Sequence, residues 1–206
     1  MAIETVQLQT ADGLTLEGEL QVPDGAHAAV VLAHPHPLHG GNMRSIVIGA
    51  LFAGLPAAGV AALRFNFRGV GASEGTHDNG RAERLDVVAG LDALEGLGLD
   101  LPLVLGGWSF GADTSLAVYD ARHAGWFAVA PPLRHAEHVA AATDPRPTLL
   151  LVPERDQFRS PESAAEVVAS WTNTRIQVVP GADHFLVGRT DRVVELAVEF
   201  INHFLS

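Results

Sequence analysis

Residues 103–112 read Leu-Val-Leu-Gly-Gly-Trp-Ser-Phe-Gly-Ala, and this stretch decides the fold. An apolar, strand-like run leads directly into the pentapeptide Gly-x-Ser-x-Gly and then into residues typical of a helix. Such a sharp turn exposes its serine at the top of a sheet, and side chains at Gly107 and Gly111 would collide with the neighbouring strand or helix. Because Ser109 then lies at a helix N-terminus, which favours negative charge, we expect Ser109 to be a nucleophile. The pentapeptide can also arise by chance in a chain with 21 glycines, but its setting favours the nucleophile.

Strand-like and helix-like segments alternate along the rest of the chain. Two early strands, Thr5–Thr10 and Leu14–Val22, are joined by a hairpin signal at residues 11–13. The later strand-like runs are Ala28–Ala33, Val60–Phe67, Leu103–Trp108, Trp126–Ala130, Thr148–Val152 and Arg175–Val179. The helix-like segments are Met43–Ala53, Arg81–Leu97, Ala112–Arg122, Glu162–Trp171 and Arg189–Phe204, with Leu133–Ala142 as a weaker candidate. This order predicts an α/β fold with a mostly parallel sheet, whose functional groups gather at the carboxyl ends of the strands.

Length and composition exclude several classes of protein. The 206 residues suit one domain spanning residues 1–206. A formal charge of −11 argues against nucleic-acid partners and against anionic membranes. The lack of cysteine excludes disulfides, thiolate metal sites and a cysteine nucleophile. Without a signal-peptide pattern at the N-terminus we expect a cytoplasmic protein. The uncharged run 46–63 is long enough to suggest a membrane span, but its Gly and Pro residues favour a buried helix ending near Gly54 and a strand from Val60.

A serine nucleophile needs a general base and an acid that orients it. Along the chain, this kind of triad runs from the serine to an Asp or Glu and then to the histidine. The base is therefore predicted to be His184, in a loop after the last strand, since His135 and His138 come too early. The acid is predicted to be Asp156, in the loop after Val152, with Glu154 as the rival. A surface ion pair with Arg155 or Arg159 is the alternative role for Asp156.

In enzymes with this kind of nucleophile turn, one backbone N–H donor of the oxyanion hole lies on the loop after the third strand, which here is residues 33–42. Pro35 and Pro37 have no N–H, so we expect the backbone of His36, held between them, to donate alongside the N–H of Phe110; Leu38 is the fallback. The loop also carries His34, His36 and His39, but stiff prolines and the lack of an acidic ligand argue against a metal. Residues 69–75 resemble a dinucleotide fingerprint, yet the last glycine comes one residue late. We therefore predict no metal and no cofactor, and interpret residues 69–75 as a turn beside the site.

Together these segments resemble the α/β-hydrolase superfamily, and within it the small bacterial esterase-like and dienelactone-hydrolase-related proteins. The matching segments are 34–41, 64–73, 107–111, 156–158 and 183–185. The resemblance implies an eight-stranded sheet with helices on both faces and a triad of Ser109, Asp156 and His184. Dienelactone hydrolases proper use cysteine, which this chain lacks. Many relatives insert a cap after the sixth strand; here residues 131–146 leave room for one short helix, so we expect an open, uncapped site.

The sequence therefore predicts a serine hydrolase that cleaves a small carboxylic ester through an acyl-enzyme. The same triad also serves thioester and peptide hydrolysis, and a catalytically idle binding protein on this fold is a further alternative. The expected partner is a small ester-type molecule. The sequence does not determine the oligomeric state and is compatible with a homodimer.

Overall fold

One sheet of eight strands organises the chain in the computed structural model, which describes residues 2–134 and 139–205. The strands are β1 (Glu4–Gln9), β2 (Thr15–Gln21), β3 (Ala28–Ala33), β4 (Val60–Phe65), β5 (Leu103–Trp108), β6 (His123–Val129), β7 (Thr148–Pro153) and β8 (Thr174–Val179). Their spatial order is β1-β2-β4-β3-β5-β6-β7-β8. The β1–β2 and β2–β4 pairs are antiparallel, and every later pair is parallel. The predicted eight-stranded, mostly parallel sheet is confirmed.

Helices cover both faces of this sheet. They are α1 (Ile46–Gly54), α2 (Glu83–Glu95), α3 (Phe110–Leu116), α4 (Pro161–Val167) and α5 (Thr190–Leu205). Alternate residues of a strand point to opposite faces, and in β3 Val31 packs in the core under α2, α3 and α4, whereas Val30 and Leu32 pack under α1 and α5. Two-sided burial explains why β3, β4, β5 and β7 are buried at every residue and mostly apolar rather than alternating, with Arg64 of β4 and Thr148 of β7 as polar exceptions.

Several elements end earlier than the sequence predicts, for local reasons. Helix α3 stops at Leu116 rather than Arg122, since the Trp126 indole N–H donates to the Ser115 carbonyl at 3.0 Å and Asp120 accepts from the Arg122 N–H at 2.9 Å. Strand β4 stops at Phe65, because the next inward-facing amide, that of Phe67, donates to a histidine side chain instead of a strand.

The remaining predictions concern the absence of a cap after β6 and the structure of the uncharged run 46–63. Residues 130–147 lie between β6 and β7, too few for a cap domain. Residues 135–138 of the weak helix candidate Leu133–Ala142 lie outside the described residues, and its described part holds a short 3-10 turn at Ala140–Ala142 rather than an α-helix. The run 46–63 divides into α1, a short turn and β4 as predicted. Over the two described stretches, no helix has the length and apolarity needed to span a membrane.

Candidate active site

Ser109 occupies the turn between β5 and α3 with a strained backbone. Its φ of 55° and ψ of −116° are costly for a residue with a side chain. A Cβ on Gly107 would lie 2.5 Å from the carbonyl of Gly111, and a Cβ on Gly111 would lie 2.2 Å from the carbonyl oxygen of Ala33. Both glycines are therefore required by close backbone approach, as the sequence pattern indicates.

A chain of two hydrogen bonds joins Ser109, His184 and Asp156. His184 Nε2 lies 2.9 Å from Ser109 Oγ, and His184 Nδ1 lies 2.9 Å from Asp156 Oδ2. The three residues follow β5, β7 and β8, so the sheet brings together groups that are up to 75 positions apart. A carboxylate can only accept, so Nδ1 carries the imidazole proton and Nε2 is left to accept from the serine hydroxyl. Both Asp156 and His184 are buried.

Backbone donors hold the Asp156 carboxylate in place. Its Oδ1 accepts from the N–H groups of Phe158 at 2.8 Å and Arg159 at 3.2 Å. The rival Glu154 turns away and accepts from the Gly181 N–H at 2.7 Å. The Arg159 guanidinium donates to the Pro132 carbonyl at 3.0 Å rather than to Asp156. Asp156 is thus the carboxylate that contacts His184.

Two aromatic residues that the sequence reasoning did not single out fix the position of His184. The indole N–H of Trp108 donates to the His184 carbonyl at 3.2 Å. The ring of Phe158 meets the imidazole edge-on, with centroids 4.5 Å apart. Trp108 is a variable position of the pentapeptide and Phe158 lies in a loop, so neither carries a local sequence signal.

The loop after β3 lies against the start of α3. The carbonyl of His36 accepts from the amides of His39 at 3.0 Å and Gly41 at 3.1 Å, which folds the loop back on itself. The N–H of His36 has no acceptor among residues 2–134 and 139–205. The N–H of Phe110 opens α3, where no preceding helical carbonyl is available. Both residues line the same cavity as Ser109.

The three histidines of this loop have separate environments. His34 is fully buried, with Nδ1 2.6 Å from the Pro35 carbonyl and Nε2 accepting from the Phe67 N–H at 3.0 Å. Burial lowers the pKa of His34 to about 4, so this ring is neutral. His36 and His39 stack on each other with centroids 4.5 Å apart. No group of three His, Asp or Glu side chains within the described part of the chain is arranged to hold a metal ion.

A cavity of about 970 Å³ opens beside Ser109 and His184. Its apolar lining includes Ile46, Phe110, Leu116, Ala117, Leu133, Val139, Phe158 and Phe185. Arg81, Arg84 and Arg134 supply polar groups on the wall. Residues 69–75, predicted to lie beside the site, do not line the cavity; Gly71 instead packs on Glu17 of β2, whose carboxylate accepts from the Ala72 N–H at 2.7 Å. His135 and His138 lie outside the described residues.

Comparison with known proteins places this geometry in a family. A serine hydrolase homologue from Coxiella burnetii superposes with a TM-score of 0.87 at 33% identity, over 97% of each chain. A protein of unknown function from Agrobacterium tumefaciens, a putative α/β hydrolase, gives 0.84 at 26% identity, over 98% of this chain and 96% of that one. An uncharacterized protein of Rickettsia prowazekii (strain Madrid E) is 31% identical over 192 residues, which covers 85% of this chain and 79% of the relative.

The family itself follows from the extent of the match. Residues 26–200 match the family described as the alpha/beta hydrolase domain, which covers the sheet from just before β3 to the last helix. The family and the serine hydrolase homologue support hydrolase activity. The chain belongs to the α/β-hydrolase family, as a small member without a cap.

Proposed function

We propose that this chain is a serine hydrolase that cleaves small carboxylic esters through an acyl-enzyme. The observation that carries the proposal is the unbroken hydrogen-bond chain from Asp156 through His184 to Ser109, with both links at 2.9 Å. It ends on a strained serine that faces a cavity large enough for a small organic molecule. The order and geometry meet the requirements of an activated nucleophile.

The proposed reaction begins when His184 Nε2 takes the Ser109 proton as Oγ attacks the ester carbonyl carbon. The carbon–oxygen double bond opens to an oxyanion, and the tetrahedral intermediate collapses as His184 returns the proton to the leaving alcohol. The acyl group then remains on Ser109. A water molecule gives a proton to His184 as its oxygen attacks the acyl carbon. The second tetrahedral intermediate then collapses as His184 returns that proton to Ser109 Oγ, which releases the acid and restores the hydroxyl.

In this proposal Asp156 orients the imidazole and stabilises the imidazolium that forms in each half of the reaction. Support comes from its complete burial and from the two backbone amides on Oδ1, which leave Oδ2 directed at His184. A carboxylate with such a set of donors is held rigidly, so it adds little reorganisation when charge develops on the imidazole.

We assign the oxyanion hole to the backbone N–H groups of His36 and Phe110. Support comes from the lack of an acceptor for either group within the described residues and from their position on the cavity that contains Ser109. The absence of a side chain at Gly111 lets α3 approach the end of β3, from which the loop that carries His36 continues. The ring of His36 also contacts that of Phe110, with centroids 5.0 Å apart.

Two further parts of the proposal concern access to the cleft and the number of domains. Because residues 130–147 are too short for a cap, small esters reach the cleft without a lid having to open. We also propose that residues 1–206 form one domain, since all eight strands belong to one sheet.

The test is covalent labelling followed by turnover. A fluorophosphonate probe should add one mass increment to the wild-type chain, and Ser109→Ala should remove both the adduct and the hydrolysis of p-nitrophenyl acetate and butyrate. Ser45→Ala is the matched control, since Ser45 lines the same cavity but its hydroxyl accepts from the Asn42 N–H. A panel of esters, thioesters and aminoacyl amides then compares leaving groups. Equal labelling or turnover in Ser109→Ala would overturn the mechanism, and faster cleavage of thioesters or amides would overturn the ester assignment.

A further inference from the structure

Three arginines lie on the wall of the active-site cavity: Arg81, Arg84 and Arg134. The chain as a whole is acidic, with 24 acidic and 13 basic residues. Against this background most arginines would be expected to pair with carboxylates, as Arg44, Arg64, Arg68, Arg122, Arg146 and Arg192 do. The three cavity arginines differ in whether they form an ion pair with a carboxylate.

Arg84 and Arg134 have no carboxylate partner among residues 2–134 and 139–205. Arg84 uses its Nε–H to donate to the carbonyl of Arg81 at 3.1 Å, which leaves both terminal NH₂ groups of the guanidinium available. Arg81 is mostly exposed and makes a 3.1 Å contact with Asp78. Arg84 and Arg134 are therefore the two cations that a bound anion could engage.

The two cations approach α3 from opposite sides. The loop before α2 follows β4 and touches α3, because a Cβ on Gly80 would lie 3.5 Å from the Phe110 ring. The loop after β6 is held to α3 on the other side, where Asp113 accepts from the N–H groups of Leu133 at 2.9 Å and Arg134 at 3.2 Å. In the sheet, β4 and β6 flank the β3–β5 pair, so the segments that carry Arg84 and Arg134 reach α3 and the cavity from opposite sides.

Two carboxylates near these arginines, those of Asp113 and Glu83, are both held by backbone amides. Asp113 also lines the cavity, but its two oxygens accept the amides of Leu133 and Arg134. Glu83 is fully buried and accepts the amides of Asp78 and Gly80. The charge of Arg134 acts on the oxyanion loop: after burial and the neighbouring imidazoles of His39 and His77, it lowers the pKa of His36, while Glu83 acts in the opposite direction.

We propose, building on the serine esterase function above, that the preferred substrate carries a carboxylate on its acyl group and that Arg84 and Arg134 bind it. A guanidinium matches a carboxylate with two parallel N–H donors, which gives orientation as well as attraction. The apolar lining of the same cavity, which includes Leu116, Ala117 and Leu133, would hold the methylene chain that joins the carboxylate to the ester. The substrate class is thus the monoester of a short dicarboxylic acid.

The test compares two esters that differ only at the end of the acyl chain. Mono-p-nitrophenyl glutarate ends in a carboxylate where p-nitrophenyl valerate ends in a methyl group. We expect wild-type kcat/KM to favour the glutarate by about tenfold at low salt, the scale of one charge-assisted pair. We expect the ratio to fall toward 1 in Arg84→Met, Arg134→Met and above all in the double variant, and to shrink in 0.5 M NaCl. Rates with Ser109→Ala provide the background.

The matched control is Arg175→Met, which removes the same charge from the exposed face of β8, away from the cavity. It should keep the wild-type ratio. A wild-type ratio of glutarate to valerate kcat/KM near 1, or a ratio that is unchanged in the double variant, would overturn the carboxylate assignment. If the valerate were still cleaved in a Ser109-dependent way, the esterase function would stand. Failure to cleave either ester, together with no fluorophosphonate adduct, would overturn both proposals.

Discussion

Gly111 and Ala33 lie so close that a methyl group on Gly111 would be centred 2.2 Å from the Ala33 carbonyl oxygen. That contact joins the first turn of α3 to the end of β3, and so couples the elbow to the loop that carries His36. In Gly111→Ala the two segments must separate by about an ångström to relieve the overlap. Since oxyanion stabilisation depends on donor positions, we expect kcat to fall about 10²-fold with a smaller change in KM.

Gly49→Ala is the control for this prediction. Gly49 is also a helical glycine, but a Cβ there would meet its nearest neighbour at an ordinary 3.6 Å. Alanine is the better helix former, so this variant should keep its activity and gain up to about 1 kcal/mol in the free energy of unfolding. Steady-state kinetics with p-nitrophenyl butyrate and urea unfolding measure both quantities. If Gly111→Ala kept the wild-type kcat, the close contact between Gly111 and Ala33 would not be needed for catalysis.

Asp156→Asn changes the group on His184 Nδ1 with almost no change in volume. An amide can present its NH₂ to the imidazole and so favour the tautomer with the proton on Nε2, which cannot accept from Ser109. We expect kcat to fall by about 10³- to 10⁴-fold at pH 7. Glu154→Gln, two residues away, disturbs only the contact with the Gly181 amide and should stay within about twofold of wild type. Similar losses in both variants would contradict the assignment of Asp156.

The site could be read from the sequence where its requirements are local. The need for glycine at 107 and 111 arises from contacts within the strand–turn–helix unit, and the order of Ser109, Asp156 and His184 follows from which strand each one succeeds. The choice between Asp156 and Glu154 could not be made this way. It depends on the turn in which the Asp156 amide donates to the Pro153 carbonyl at 3.2 Å, and this turn directs one carboxylate inward and the other toward Gly181.

Features built from distant segments left no sequence signal. Arg84 and Arg134 are 50 positions apart in the chain, and they line the same cavity because the segments after β4 and β6 flank the β3–β5 pair. Helix α3 was predicted too long because the apolar pattern continues to Val118. The Trp126 indole, which takes up the Ser115 carbonyl, belongs to the following strand and could not be assigned to that role from helix propensity.

Asp86 and Arg68 form a buried ion pair whose removal should be costly. The Asp86 carboxylate is fully buried and accepts from the Arg68 backbone N–H and Nε at 2.9 Å and from Nη2 at 2.6 Å. Asp86→Asn leaves the buried guanidinium with only the half-exposed Asp12 as a charged partner. We expect the free energy of unfolding to fall by about 3–5 kcal/mol. Asp92→Asn removes an exposed partner of Arg122 and should cost less than about 1 kcal/mol. Urea unfolding of the two variants gives the comparison, and equal losses would contradict it.

Stability should fall as the pH drops from about 6.5 to about 4, because two buried histidines resist protonation. Burial lowers the pKa of His34 to about 4; burial, and then the charge of Arg146, does the same for His123. Above pH 6.5 both rings are neutral in the folded and unfolded chains and contribute nothing. Below it the unfolded chain binds protons that the folded chain does not, so each ring lowers the free energy of unfolding by about 2 kcal/mol between pH 6.5 and 4.5.

His123→Phe tests the half of this dependence that comes from His123 without disturbing the site. His123 is 2% exposed, and its ring meets that of Trp126 edge-on with centroids 4.2 Å apart. Its ring nitrogens have no hydrogen-bond partner within the described residues, so a phenyl ring fits the same space. Urea midpoints from pH 4.5 to 7.5 should show the acid-side loss reduced by about 2 kcal/mol relative to wild type. An unaltered slope in His123→Phe would mean that His123 is protonated inside the folded protein, with Asp120 and Asp144, the acidic groups that favour its charged form, as the counter-charges.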